Sequence, residues 1–171
     1  ALDLDDGEEL WSAGLSNGID HGPSIGDDHV LAVDGDGVLV AHALDDGDLE
    51  WQARGRSFPS EAVAVDEDAV VTVTDSGRVE AFDLTDGDLL WSRQLDDLDV
   101  APAVIGDEVL VVSNGGQVTV LDLDDGTVTD SWDLPLPTPG TDPVVDTPLG
   151  LVGDDVVITA QAAAPNFAYV S

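Results

Sequence analysis

The sequence predicts an all-β fold, a β-propeller of four-stranded antiparallel blades, and three observations predict it. First, a motif returns at a nearly fixed spacing: Gly7, Gly47, Gly87 and Gly126 lie 40, 40 and 39 residues apart, and Trp11, Trp51 and Trp91 lie 40 apart. Second, the stretches between these motifs hold short Val, Ile and Leu runs cut by Gly-Asp, Asp-Gly or Asn-Gly, the pairs that tight hairpins need. Third, no window of helical length sustains a helical apolar period. Four short strands in every ~40 residues describe a propeller blade, whereas a sandwich has no reason to repeat its sequence at fixed spacing.

The elements follow in order. The first motif is Ala1-Leu2-Asp3-Leu4-Asp5-Asp6-Gly7-Glu8-Glu9-Leu10-Trp11. It returns at Ala41 to Trp51 and at Ala81 to Trp91, and a worn copy runs from Val120 to Gly126 with its tryptophan displaced to Trp132. Between the motifs, Pro23 to Val40, Ala62 to Val79 and Pro102 to Val118 form a second repeated pattern, and Gly153 to Thr159 begins a fourth copy. In the first full unit the strands fall near 21–26, 29–34, 37–44 and 48–54. The chain thus reads as a single domain, 1–171, with units of roughly 1–19 (partial), 20–57, 58–98, 99–134 and 135–171. In each Asp-x-Gly turn the aspartates cap turn amides and the glycine takes the left-handed position. A tryptophan four residues later falls on the outermost strand, where a large flat ring covers the seam between blades.

The alternation of Ala-x-Asp-x-x-x-Gly-x-x-x-Trp with Gly-Asp-x-Val-x-Val resembles the quinoprotein-dehydrogenase-like (PQQ-like) propeller repeat family, over nearly the whole chain. In that family a tryptophan-docking motif joins the blades. The resemblance implies that Trp11, Trp51 and Trp91 stack on the turns ending at Gly47, Gly87 and Gly126. It also implies a wheel of seven or eight blades in the intact protein.

The repeat breaks in two places. The proline-rich stretch from Leu134 to Pro143 lengthens the fourth interval, and Gln161 to Asn166 replaces a hairpin turn. Insertions in repeat proteins map to loops, and loops carry binding. Pro135, Pro137, Pro139, Gln161 and Asn166 are therefore candidate interaction residues. Ala168 to Ser171 aligns with Ala1 to Leu4, so the chain ends on the strand type with which it begins. Two assemblies remain open. Either the first strands complete the last blade of a small four-bladed ring, or missing blades or a second copy complete a larger wheel.

Composition narrows the partners. The chain has 37 acidic residues, four arginines and no lysine, for a net charge of −33. The acids are spread through every repeat, which marks a solvated coat rather than a binding tail. Such a coat suits molar salt, where the Debye length falls to ~3 Å and self-repulsion is screened. It resembles the surfaces of salt-in halophiles, the haloarchaeal type. Nucleic acid and anionic lipid, which require basic patches, are excluded as partners. No apolar run reaches the ~20 residues of a membrane-spanning helix, and no targeting signal is visible.

The chemistry-bearing residues are few. With no cysteine there is neither a disulfide nor the vicinal cysteine pair that accompanies pyrroloquinoline quinone and calcium in the dehydrogenases of the family. Asp3-Leu4-Asp5-Asp6-Gly7 misses the calcium-loop spacing, because its glycine comes fifth and the twelfth position is Gly14. His21, His29 and His42 lack paired metal spacing and read as isolated surface residues. No Gly-x-Ser-x-Gly elbow is present, and Gly35-Asp36-Gly37 is a hairpin turn without a phosphate loop's helix. No catalytic, cofactor or metal residue is assigned, and no cofactor is expected. Members of the family that bind polypeptide include the lipoprotein of the bacterial outer-membrane assembly machinery and the luminal domains of unfolded-protein sensor kinases. The resemblance therefore implies a non-catalytic scaffold that binds protein or peptide, extracytoplasmic or at the surface of a halophile. The alternative is a quinone- or ligand-binding redox domain that needs blades outside this chain.

Overall fold

The computed structural model describes residues 1–19, 21–56, 59, 63–66, 68–74, 76–96, 98, 100–113, 115–134, 143–144, 150–152, 155–157 and 161–162, the last four segments as backbone only. The described residues are strands and turns, and none forms a helix that could cross a membrane.

Three complete blades follow one another. The first is β1 (Ser24–Gly26), β2 (His29–Val33), β3 (Leu39–Ala43) and β4 (Leu49–Ala53). The second is β5 (Ala64–Val65), β6 (Ala69–Val73), β7 (Arg78–Asp83) and β8 (Leu89–Gln94). The third is β9 (Ala103–Ile105), β10 (Glu108–Val112), β11 (Gln117–Asp122) and β12 (Val128–Asp133). Each is a four-stranded antiparallel meander in chain order. The fourth repeat contributes β13 (Pro143–Val144), β14 (Gly150–Val152), β15 (Asp155–Val157) and β16 (Gln161–Ala162); β13 pairs with β16 and β14 with β15.

The meander explains which residues are buried. Successive side chains on a strand point to opposite faces, and here both faces of a blade pack against neighbours. Leu31, Leu39, Ala41 and Trp51 of the first blade meet Val63, Val70, Phe82 and Leu84 of the second. The alternate residues Val71, Val73, Val79, Ala81 and Trp91 of the second meet Val109, Val111, Leu121 and Leu123 of the third. The first strands β1, β5 and β9 approach one another, as the inner strands of a wheel do. Burial on both faces accounts for the Val-rich runs without polar alternation in β6 and β10.

The Asp-x-Gly turns are built alike in every repeat. Asp3, Asp83 and Asp122 each accept, through Oδ1, the N–H two residues on. Asp6, Asp46, Asp86 and Asp125 do the same one step later in the turn. Gly7, Gly47, Gly87 and Gly126 have φ of 76°, 76°, 75° and 68°, the left-handed region that glycine enters without strain. The aspartates of the motif are thus occupied as turn caps.

Candidate functional site

The seams between blades come first, because they fix every exposed surface. Trp51 on β4 lies flat over Gly87, and its indole N–H donates to the Leu84 carbonyl at 2.9 Å. Trp91 on β8 lies over Gly126 and donates to the Leu123 carbonyl at 2.6 Å. Trp11 lies over Gly47 and donates to the Leu44 carbonyl at 3.0 Å. At all three glycines an added Cβ would collide with the indole, so glycine serves both the turn and the stacking.

Two motif residues stand apart. Nothing packs against the α-carbon of Gly7, and Leu4 beside it is fully exposed. Trp132 is 44% exposed, against 8% for both Trp51 and Trp91. The register gives the reason. Trp51 and Trp91 pair with Ala41 and Ala81, but the equivalent Val120 pairs with Asp130, and Trp132 pairs with Val118. Trp132 therefore sits two residues, about 7 Å, further along its strand. Pro135, Pro137, Pro139 and Asn166 lie outside the described residues, and Gln161 is described only as part of β16.

The seam in front of the first blade differs from the other two. Leu84 and Leu123 are 2% and 7% exposed, whereas the equivalent Leu44 is 39% exposed. Val70 and Val109 are sealed, whereas Val30 is half-buried and Ile25 is 65% exposed. Trp11, Pro23, Ile25, Val30 and Leu44 line a mostly apolar hollow of about 410 Å³ on this face.

The histidines were expected as isolated surface residues, and the structure corrects this for two of them. His29 is half-buried and its Nε2 lies 2.7 Å from Glu50. His42 holds the position occupied by Phe82 and Leu121 in the other blades; its Nδ1 is 2.9 Å from the Gly47 carbonyl and its Nε2 has no partner. Half-burial follows from that position, because this side of β3 faces a seam.

The two ends of the wheel carry different charge. Because strands alternate in direction, the β1–β2 and β3–β4 turns of every blade share one end. Asp27, Asp28, Asp45, Asp46, Asp66, Asp68, Asp86, Asp107, Asp124 and Asp125 are all there. Two hollows open on that end, one of about 500 Å³ lined by Gly26, Asp27, Val65, Asp66 and Asp68. The other, about 390 Å³, is lined by Asp28, Ala43, Leu44, Asp45 and Glu50. At the opposite end are the β2–β3 turns, the connections between blades and three of the four arginines. Arg54 and Arg56 are exposed, with Arg54 donating to the Asp36 carbonyl, and Arg78 donates to Ser92 Oγ. The fourth, Arg93, is half-buried and donates to the Gly126 carbonyl at 2.7 Å.

One carboxylate is buried. Glu80 is 1% exposed and accepts from the Arg56 amide at 2.9 Å and the Ser92 hydroxyl at 3.0 Å. It fixes the connection between the first two blades to the body of the second. Asp125 is held below its usual 3.8, chiefly by the Thr127 hydroxyl and then by the Thr127 amide, with a further contribution from Arg93. Among the described residues no group of three or more His, Cys, Asp or Glu side chains is placed to hold a metal ion.

A family model described as outer membrane protein assembly factor BamB matches residues 1–164. Similar solved structures include BamB from Moraxella catarrhalis, with 20% identity and a TM-score of 0.76 over 90% of this chain and 47% of that one. The computationally designed Ika4 protein is 18% identical, with a TM-score of 0.70 over 91% of this chain and 98% of that one. A quinohemoprotein alcohol dehydrogenase from Pseudomonas putida is 22% identical, with a TM-score of 0.60 over 77% of this chain and 24% of that one. No curated protein matches. At these identities the likeness shows the fold, and the chain spans about half the length of the BamB structure.

Proposed function

We propose that this chain, which belongs to the family described as outer membrane protein assembly factor BamB, is a non-catalytic propeller scaffold that binds polypeptide in a high-salt, extracytoplasmic setting. The uneven placement of charge on a rigid wheel carries the reading. Fastened seams hold the blades in fixed relation, so the wheel presents its connection end as one surface. That end bears the exposed Arg54 and Arg56, with Arg78 beside them. Guanidinium groups offer forked donors to the carboxylates and carbonyls of a peptide, and loops on a rigid frame are where such binding concentrates. The turn end, coated with aspartate, repels acidic partners and stays solvated.

The proline-rich stretch 134–143 follows β12, and Leu134 leaves that strand bonded to the Gly116 carbonyl at the connection end. We place the interaction segment there, with Pro135, Pro137 and Pro139 as its stiff portion. Gln161 and Asn166 belong to the same proposal as the second break in the repeat. The acidic coat supports the high-salt setting, the family's role supports an extracytoplasmic one, and further blades complete the wheel.

A pulldown in molar KCl tests the reading. A specific polypeptide is recovered by the native chain and lost by Arg54→Ala/Arg56→Ala, whose thermal midpoint is unchanged. Quinone-dependent dye reduction, or saturable binding of pyrroloquinoline quinone with Ca²⁺, would overturn it in favour of the redox alternative.

A further inference from the structure

We propose that two copies of this chain complete each other, with strands β14 and β15 of one copy filling the open seam of the other beneath its N-terminal hairpin. This rests on reading the chain as an incomplete wheel and is independent of polypeptide binding at the connection end.

Residues 1–11 are the outer pair of a blade without its inner pair. Gly7 N–H donates to the Asp3 carbonyl and Asp3 N–H to the Glu8 carbonyl. Gly87 to Asp83 and Asp83 to Asp88 repeat this pattern in the second blade, and Gly126 to Asp122 and Asp122 to Thr127 repeat it in the third. Beyond its own bridge between Leu2 and Glu9, the hairpin pairs with no strand among the described residues.

The converse holds at the other end of the chain. β14 and β15 are an inner pair without an outer one. Their register, Val152 with Asp155, Leu151 with Val156 and Gly150 with Val157, reproduces Gly26 with His29, Ile25 with Val30 and Ser24 with Leu31. No third strand joins them among the described residues.

The slot matches what the fourth repeat supplies. In the closed seam, Leu31 and Leu39 pack beside Trp51 against the second blade. In front of the first blade only Trp11 is present, and the space corresponding to Leu31 and Leu39 is the hollow of about 410 Å³. Val157 holds the register position of Leu31. An apolar strand at that position covers Ile25, Val30 and Leu44 as Leu31 covers the next blade.

A second copy is the occupant, rather than the chain's own end, because of the arc. Three complete blades separate the hairpin from β14–β15. That run superposes, with a TM-score of 0.76, on 47% of the BamB chain, the arc of a wheel of about twice this length. Two copies related by a twofold axis each give three complete blades and two half-blades, and the halves combine into a wheel of eight. Each copy carries a charge of −33, so association requires the screening of molar salt.

The absence of cysteine makes the test clean. Ile25→Cys and Val157→Cys are made in separate chains, which are mixed in molar KCl under mild oxidation. The expected product is a disulfide-linked pair with one chain of each kind, in clear excess over either homodimer. A single thiol per chain rules out closure within one molecule as its source. Sedimentation of the native chain shows dimers in molar KCl that dissociate at low salt. Ile25→Asp, at an exposed position, weakens the dimer about 100-fold or more by burying an unpaired charge, without changing the monomer's circular dichroism. A monomer at every concentration in molar KCl would overturn the proposal, even if it still bound polypeptide. So would quantitative internal disulfide formation in a monomeric Ile25→Cys/Val157→Cys chain.

Discussion

The seam between the first and second blades and the seam in front of the first blade share one fastener and differ in everything else. In both, an indole covers a left-handed glycine and donates to the leucine carbonyl three residues before it. Only the former is sealed. Leu84 is 2% exposed there, and the equivalent Leu44 is 39% exposed in the latter. The tryptophan therefore aligns an outer strand on its neighbour, and the inner strands exclude water. Fastening and sealing are separate contributions, which makes them separable by mutation.

The largest expected effect tests fastening where it is complete. Trp91→Ala empties a sealed seam and costs about 3–5 kcal/mol in chemical denaturation. Trp132→Ala, at an exposed indole outside the docking register, changes stability by no more than about 0.5 kcal/mol. Equal losses would erase the distinction between docked and undocked tryptophans. Next come the glycines. Gly87→Ala incurs about 1–3 kcal/mol of backbone strain and also displaces Trp51, whereas Gly7→Ala incurs the strain alone. The difference between the two midpoints measures the stacking contact.

A smaller effect concerns the buried carboxylate that only one seam contains. Glu80→Ala leaves the Arg56 amide and the Ser92 hydroxyl without their acceptor and costs about 1–3 kcal/mol, read from the same denaturation curves. The smallest is a pH effect at the third blade's turn. Asp125 is depressed below 3.8 in the folded state, so its stabilisation is present above that value and is lost as the pH falls through the lower folded value. The midpoint difference between the native chain and Thr127→Ala is therefore present at neutral pH and disappears in acid. A difference that persists unchanged at the acid end would contradict this assignment.

Much of the fold was legible because its determinants are local and repeated. A Gly that must be left-handed, aspartates that cap the turn and β-branched runs between them recur every ~40 residues, and that period specifies blades. The seam positions were less legible. His42 aligns with Phe82 and Leu121, and Glu80 with Val40 and Thr119, so their columns signalled a buried face, but a polar side chain taken alone reads as surface. The six residues between Gly126 and Trp132, in place of four, did signal a lost register. The open first seam was invisible, since its lining residues match those of the sealed seams and only their neighbours differ. The proline-rich candidates lie outside the described residues, and their role stands as proposed.

Hydrogen exchange at the four indole N–H groups, followed by nuclear magnetic resonance on dilute protein, tests the separation of fastening from sealing most directly. Trp51 and Trp91 are bonded and buried, Trp11 is bonded but half-buried, and Trp132 has no partner among the described residues. The predicted order of protection is Trp91 and Trp51 slowest, Trp11 intermediate and Trp132 fastest. Equal protection at all four, or a Trp132 slower than Trp51, would contradict the account.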